Sequence, residues 1–560
     1  MCSGTRVGAA LSSACELRGA ETMAGVRQAA REGVQSSDGR GRSGAGGAVR
    51  EGERAPKTVM WPWVPWALAA GSGLLTVGAF PKWDWGALAF FSLVPFLFVL
   101  RRAAPRRGFA LGLAWGLAFF LGALYWVTHV MVIYGHMALP LAVLAWVGLA
   151  VILSGYPAVF GWIVARLGWM GPLGWAPAVA VLWVAIEYGR SHLLSGFPWV
   201  LLGYSQGHFL EVIQVSRYTA VYGVTFLVIL VNAALAAAME PGPALARRLA
   251  PVGVAAVLVL GAVAYGRGAM AAPPPRATVP VAVVQGNIDQ GIKWSPAMRQ
   301  ATVDKYRRLT LEIVRERPAL VVWPEASMPF LLRRDPDLGP RALAVAREAG
   351  VPILMSSPDM IRQGTFENSA FLVAETGEVQ GKYSKRHLVP FGEYVPLQWL
   401  FFFLDKLVVG IGDFVPGHEV TIFRGPFGRF SVSICYEVIF PDEVRLAMLN
   451  GAEFLVNITN DAWFGRTSAP YQHLAMAAFR SVENNAYMVR AANTGISAII
   501  EPTGRIAHAT PLYADAAFTG TIAPSSGQTF YTRYGDVFAW VCVAAAAAVV
   551  AASLRRARSK

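Results

Sequence analysis

Residues 431–440 read SVSICYEVIF. Phe430, Val432 and Ile434 give the apolar, β-branched texture of a buried strand that ends on Cys435. Pro441 then opens a helix with Asp442 and Glu443 in its first turn, where proline and acidic residues suit a helix start. A cysteine at a strand-to-helix turn has its thiol exposed at the sheet edge, and nearby backbone N–H groups can hold a developing oxyanion. A lone cysteine is more often a packed side chain. Two other stretches reverse that balance.

The first is LVVWPEAS (320–327), which places Glu325 just past an apolar strand and beside Pro324. The second is KYSKRHLVPFGEYVP (382–396), which carries Lys385 and Glu393. A carboxylate, an amine and a thiol at the ends of separate strands can converge at one mouth of a sheet. The chemistry they support is acyl transfer through a thioester. Glu325 takes the thiol proton and Cys435 attacks an acyl carbonyl, while Lys385 and the Tyr436 N–H stabilise the tetrahedral oxyanion. That chemistry asks for no cofactor. Of the four cysteines, Cys2 and Cys15 lie in a low-complexity leader and Cys542 in a terminal apolar run, so neither a disulfide framework nor metal-ligand spacing exists.

The surrounding segment, 268–535, alternates strands with helices. Strands are expected at Val279–Gln285, Ala319–Trp323, Ile353–Ser357, Ser369–Ala374, Phe430–Ile434, Phe454–Ile458 and Ser497–Ile500. Helices rich in Arg, Glu and Ala fall between them, as at 297–316 and 338–349. This is the pattern of a layered α/β domain with buried strands.

The rest of the chain is of another kind. The 560 residues are 55% hydrophobic, too apolar for an ordinary soluble enzyme. Residues 1–58 are a Gly/Ala/Arg/Ser-rich leader or a start placed too early, with Met23 and Met60 as later candidates. From Trp61, apolar runs occur near 61–80, 86–100, 108–133, 138–165, 174–193, 217–238 and 250–266, and again at 536–554. Each approaches the length that crosses a ~30 Å hydrocarbon core, which makes about eight spans with 59–267 holding the first seven. The formal net charge of +14 does not mark nucleic-acid binding, because the arginines flank apolar runs and the termini rather than forming a basic face. Arg101, Arg102, Arg106, Arg107, Arg166, Arg247, Arg248 and the basic tail 555–560 all fall on one side if the N-terminus is cytoplasmic. The α/β domain is then outside the cytoplasm.

Taken together, WPE, Y-x-K…PFGEYVP and CYE in this order resemble the Glu-Lys-Cys triad of the nitrilase, or carbon–nitrogen hydrolase, superfamily. With membrane runs before and after the domain, the chain from Trp61 onward resembles the apolipoprotein N-acyltransferases of bacterial inner membranes. GFPWVLLGYSQ (196–206), VVQGNIDQGIKW (283–294) and NDAWFG (460–465) belong to the same resemblance. It implies an αββα sandwich carried on a multi-pass helical bundle, with the sandwich on the periplasmic side. It also implies a reaction, in which an acyl chain moves from a phospholipid to the cysteine and then to the α-amino group of a diacylglyceryl-modified apolipoprotein. Carried over by motif position, Glu325 is the base, Lys385 the oxyanion partner and Cys435 the nucleophile. Glu393, Tyr436, Glu437 and Trp294 are accessory residues, and Trp199, Asn460 and Asp461 are further candidates.

Soluble members commonly read C-[YW]-[DE]-x-R-F-P-E after the nucleophile, whereas Ile439 holds the Arg position here. Exchanging a cation for an apolar side chain suits a lipid acyl group. WLFFFLDKLVVGIG (399–412), between two catalytic segments, reads as a lid that dips into the membrane. Glu187, an acid within a span, is expected to face the bundle interior. His192, His387 and His473 read as structural or hydrogen-bonding residues. The competing readings are an anchored amidase with the same triad, and a transporter with an inactive sensing domain.

Overall fold

The computed structural model describes residues 61–241, 244–271, 277–395, 413–525 and 527–559. The leader and the expected lid at 399–412 lie outside the described residues. Among the described residues the α/β part has thirteen strands: β1 (Val279–Gln285), β2 (Leu320–Val322), β3 (Ile353–Arg362), β4 (Thr365–Val373), β5 (Val379–Ser384), β6 (Asp413–Phe414), β7 (Phe423–Gly425), β8 (Gly428–Ile434), β9 (Phe454–Thr459), β10 (Met488–Ala492), β11 (Ala498–Ile500), β12 (Ile506–Ala509) and β13 (Ala516–Ile522). They form two sheets, ordered β13-β1-β2-β3-β4-β5 (with β6 beside β4) and β12-β11-β10-β9-β8-β7.

Each sheet repeats one design. Three parallel strands, β1-β2-β3 in one and β8-β9-β10 in the other, form the centre, and antiparallel strands flank them. Helices Pro296–Ile313 and Leu338–Ala349 make the crossovers in the first sheet, and Pro441–Leu449 and Ala469–Asn484 in the second. The side-chain period of two sorts the strand residues. Val281 and Val283 point between the sheets, against Val432, Ile434, Val456 and Ile458. Ala282 and Val284 point the other way, onto Val303, Tyr306 and Leu309 of the first crossover helix. The result is an αββα sandwich with Glu325 and Cys435 both just past the carboxyl ends of parallel strands.

Helix Ala469–Asn484, on the outer face of the second sheet, is enclosed by the helical part of the chain. Leu474, Ala477, Ala478 and Phe479 share one continuous core with Leu201, Tyr204, Ile213 and Val221 of the helical part of the chain. Polar bonds follow the same joint. Arg480 donates to the Tyr204 hydroxyl at 2.9 Å and pairs with Glu483 at 2.9 Å, while the Val221 N–H donates to Glu483 at 3.0 Å. Burial pushes the Glu483 carboxyl up to about 8, against the pull of Arg480.

Among the described residues, four helices are long and apolar enough to cross a membrane: Leu139–Val164, Val221–Ala238, Leu245–Met270 and Val537–Arg558. A pair bent by 50°, Pro105–Ala123 with Trp126–Tyr134, makes a fifth if it is one crossing. The expected runs at 61–80 and 86–100 are the shorter apolar helices Val64–Val77 and Gly86–Leu100. The run at 174–193 is helix Pro172–His192, which carries Glu187 and Arg190. Length and apolarity therefore support four or five crossings, and eight is a count these helices alone do not reach. Two boundaries also move. The last helix absorbs Arg555, Arg556 and Arg558 of the expected tail, cations suited to a helix C-terminus, and the helix at 250–266 begins earlier, at Leu245. Gly108, Gly112 and Gly116 let the bent pair's first helix lie directly on Ser154, Pro157 and Gly161 of its neighbour; an added Cβ at any of them would collide.

The arginine-rich helix ends meet one another. Arg101 and Arg102 approach Glu240 at 3.5 and 3.3 Å, Arg101 donates to the Met170 carbonyl at 2.9 Å, and Arg556 lies 5.0 Å over the Trp169 ring. Glu187 sits inside the bundle as expected. It accepts from the Leu202 N–H and the Thr225 hydroxyl, each at 2.8 Å, and so ties the GFPWVLLGYSQ loop to the helices.

Removing one partner of a buried ion pair strands the other charge, which costs about 3–5 kcal/mol. Arg480→Met is therefore expected to lower the thermal midpoint in detergent sharply. Arg480→Met with Glu483→Leu should lose less than the two single changes summed, and strict additivity would mean the pair is not coupled.

Candidate active site

Three strand ends deliver the chemical groups. Glu325 follows β2 after Trp323 and Pro324, Lys385 directly follows β5, and Cys435 directly follows β8. All three are buried. Lys385 Nζ lies 2.9 Å from Glu393 Oε2 and 3.9 Å from Glu325 Oε1. Asn368 on β4 donates to both carboxylates, at 2.8 Å to Glu325 and 3.2 Å to Glu393. The Val389 N–H donates to Glu393 at 2.8 Å, closing the loop that carries it.

The electrostatics follow from burial and these pairings. Burial opposes the Lys385 charge, but Glu393, Glu325 and Cys435 outweigh it, so the ammonium's pKa is raised. Burial raises the Glu325 carboxyl despite Lys385, with Glu393 adding to the rise. Burial and the Glu325 charge raise the Cys435 thiol, with Lys385 pulling the other way. A resting thiol beside a carboxyl that readily takes a proton, under a fixed ammonium, is an arrangement in which proton transfer accompanies attack.

The backbone at Cys435 is unusual. Cys435 has φ 54° and Ala326, beside Glu325, φ 46°; neither is glycine. Such conformations persist only where surroundings hold them. Glu437 supplies one hold: it accepts from the Ile434 N–H at 2.5 Å, the Arg386 N–H at 2.6 Å, the His387 N–H at 3.2 Å and the Tyr383 hydroxyl at 2.9 Å. One carboxylate thus ties the segment after Lys385 to the strand before Cys435. Burial pushes it up to about 7, against those donors and Lys385.

With that geometry in hand, comparison with known proteins is direct. The family model described as apolipoprotein N-acyltransferase N-terminal domain matches residues 72–234, and that described as carbon-nitrogen hydrolase matches 280–530. An apolipoprotein N-acyltransferase of Geobacter metallireducens is 43% identical over 499 residues, covering 87% of this chain and 95% of the relative. The chain belongs to the apolipoprotein N-acyltransferase family. Relatives of that name from Methylococcus capsulatus and Azotobacter vinelandii are 34% and 35% identical, covering 88% and 89% of this chain and 96% of each relative. Among solved structures, an amidase from Nesterenkonia sp. AN1 with a covalently modified active-site cysteine aligns at TM-score 0.36 and 19% identity, over 47% of this chain and 96% of the amidase.

Of the other residues singled out in sequence, Glu393 pairs with Lys385 and Tyr436 follows Cys435, its ring 5.2 Å from Phe440. Trp199 and Asp461 lie behind Cys435 instead. Trp199 stacks at 5.7 Å on His473, and Asp461 bonds His473 and Arg490. Asn460 is farther off: it donates to Gln290 at 2.6 Å and accepts from Asn493 at 3.0 Å. Trp294 is half-buried, and its neighbour Lys293 is fully buried and donates to the Glu325 carbonyl oxygen at 3.3 Å. Burial brings Lys293 down to about 8, with Glu325 opposing the fall. Asn368 and Lys293 escaped the sequence reading because a polar residue inside a strand or loop gives no periodic signal; only proximity to two carboxylates marks them.

Glu437→Gln would turn an amide NH2 toward groups that are nearly all donors, an unmet arrangement worth about 1–3 kcal/mol. The expected outcome is a lower thermal midpoint together with slower acylation of Cys435, read by mass spectrometry. Unchanged acylation would show that the Lys385 segment is placed by other contacts.

Proposed function

We propose that this chain moves a fatty acyl group from a membrane phospholipid, through a thioester on Cys435, to the α-amino group of the lipid-modified N-terminal cysteine of apolipoproteins. Membership of the family supports the overall reaction, and N-acylation of that kind is a step of lipoprotein maturation. The observation that carries the chemistry is the convergence of Glu325 and Glu393 on Lys385 in a buried site, with Cys435 near enough to feel the charges of Glu325 and Lys385.

Glu325 removes the thiol proton as sulfur attacks the ester carbonyl carbon. The C–S bond forms while the carbonyl π pair moves onto oxygen, and the Lys385 ammonium and Tyr436 N–H hold that oxyanion. Collapse breaks the ester C–O bond, and the departing lysophospholipid oxygen takes the proton back from Glu325. In the second half, the uncharged amine attacks the thioester carbonyl and loses a proton to Glu325, and the thiolate leaves and is reprotonated. Glu393 keeps Lys385 charged throughout, and Ile439, buried where soluble members carry Arg, suits an acyl chain.

The same reading gives a multi-pass protein of the bacterial inner membrane, with about eight crossings and the sandwich on the periplasmic side. The meeting of arginine-rich helix ends at one end of the bundle supports it through the bias of Lys and Arg toward the cytoplasm. Donor and acceptor then bind in turn at one thiol.

Incubating purified protein with phospholipid alone should give a thioester on the Cys435 peptide and free lysophospholipid, neither of which Cys435→Ala should yield. Lys385→Ala should slow acylation by ~10²–10³ with the fold retained. Lysophospholipid appearing only in the presence of apolipoprotein would replace this with direct transfer in a ternary complex. Because Glu325 must be ionised to act and its pKa is raised, acylation should climb with pH through a range above that of an ordinary glutamate, ~4.3. A rate flat down to that value would remove Glu325 from the role of base.

A further inference from the structure

Behind Cys435 lies a dry polar network on β9, β10 and helix Ala469–Asn484. His473 Nε2 lies 3.2 Å from the Cys435 carbonyl oxygen, and Nδ1 lies 2.9 Å from Asp461 Oδ1 and 3.1 Å from Arg490 Nη2. Arg490 also pairs with Asp461 Oδ2 at 2.8 Å, bonds the Asn457 side chain, and donates to the Ile496 carbonyl at 3.2 Å; Thr459 donates to Asp461 at 2.9 Å. His473, Arg490 and Asn457 have no exposed surface. Trp199 stacks on the His473 ring and donates to Gln472 at 2.8 Å.

The Cys435 carbonyl only accepts, so the ring nitrogen that faces it, Nε2, carries a hydrogen. On the far side Nδ1 lies between Asp461 Oδ1, which keeps a lone pair beyond the one taken by Thr459, and Arg490 Nη2, so the ring is gripped from behind. Burial and Arg490 hold the imidazole below its ordinary pKa, with Asp461 opposing the fall. The ring is thus a fixed donor aimed at one carbonyl.

That carbonyl belongs to the Cys435–Tyr436 peptide. The peptide is planar, so its C=O and N–H point in opposite directions, and fixing one fixes the other. Tyr436 is the second residue of the 3-10 turn Cys435–Ile439, ahead of that turn's first internal bond. Cys435 sits at φ 54°, a conformation that surroundings must enforce. We propose that His473 is a positioning residue for acyl transfer: by donating to the Cys435 carbonyl from behind, it aims the Tyr436 N–H at the oxyanion in front. A hydrogen bond accepted at one end of an amide also strengthens donation at the other. The inference rests on the acyl-transfer reading above, and it makes Trp199 the means by which the membrane-side loop holds the ring.

The test separates the oxyanion from the thiol. Alkylation of Cys435 by iodoacetamide passes through no oxyanion, whereas acylation by phospholipid does. Wild-type, His473→Met and His473→Gln proteins are compared in detergent by both reactions. Met and Gln match in length, but only Gln can donate. His473→Met is expected to slow acylation on the order of 10²-fold, as loss of an oxyanion donor does, while alkylation stays near wild type. His473→Gln should recover most of the acylation. Acylation by His473→Met at the wild-type rate, or a parallel fall in both reactions, overturns the inference. Should His473→Met not fold, His473→Gln decides: acylation lost with alkylation kept overturns the proposal, and acylation kept supports it. A wild-type protein that alkylates but forms no thioester overturns the acyl-transfer reading itself, and this inference with it.

Discussion

The buried ammonium of Lys385 is the constraint on which the rest depends. An unpaired cation in a dry interior costs several kcal/mol, so counter-charges must come to it. Glu325 and Glu393 do, from the end of β2 and from the loop 389–393, and Asn368 on β4 ties their carboxylates together. Satisfying one charge therefore fixes the relative position of segments far apart in the chain. Burial, with Glu393 adding to it, raises the Glu325 carboxyl against the pull of Lys385 and Lys293, which leaves Glu325 ready to receive a proton. Stability and reactivity at this point have one physical source.

Much of this was legible beforehand because the relevant signals are local. Glu325, Lys385 and Cys435 stand at strand ends punctuated by Pro324, Ser384 and the CYE turn, and strand ends are where a period of two stops. The seven expected strands all exist, with edges shifted by a few residues; β3 runs on to Arg362 and β4 begins at Thr365 because they form a hairpin whose outer half is polar. β10, MVRAA, was missed since Arg490 in its middle reads as a surface residue, yet it is buried and bonded to Asp461. His473 was legible only as a hydrogen-bonding residue, because its partners Asp461 and Cys435 lie 12 and 38 residues away. The membrane count rests on composition, and the helices carry four or five of the crossings by length and apolarity. An apolar run marks burial in lipid or in protein alike, and Val64–Val77 and Gly86–Leu100 are too short to decide between them.

The two sheets meet the reaction differently. The first carries Glu325 and Lys385 on strands whose outer face is closed by its own crossover helices. The second carries Cys435, and its crossover helix Ala469–Asn484 is closed by the helices of the bundle. Anything that moves the loop 196–206 is felt at Trp199, and through His473 at the backbone of Cys435. A buried loop of the helical part of the chain is thereby linked through packed side chains to the backbone of Cys435.

Helix Ala469–Asn484 bears the consequence. Every residue in it except Tyr471 and Ala475 is buried, between the second sheet and the bundle. An ordinary surface helix absorbs mutation on its solvent side, where most substitutions are nearly neutral. This helix has almost no such side, so the usual reservoir of harmless variation is closed along its length. Sequence drift in the family should be slow along this helix, on the solvent-poor side as much as on the side that meets the sheet.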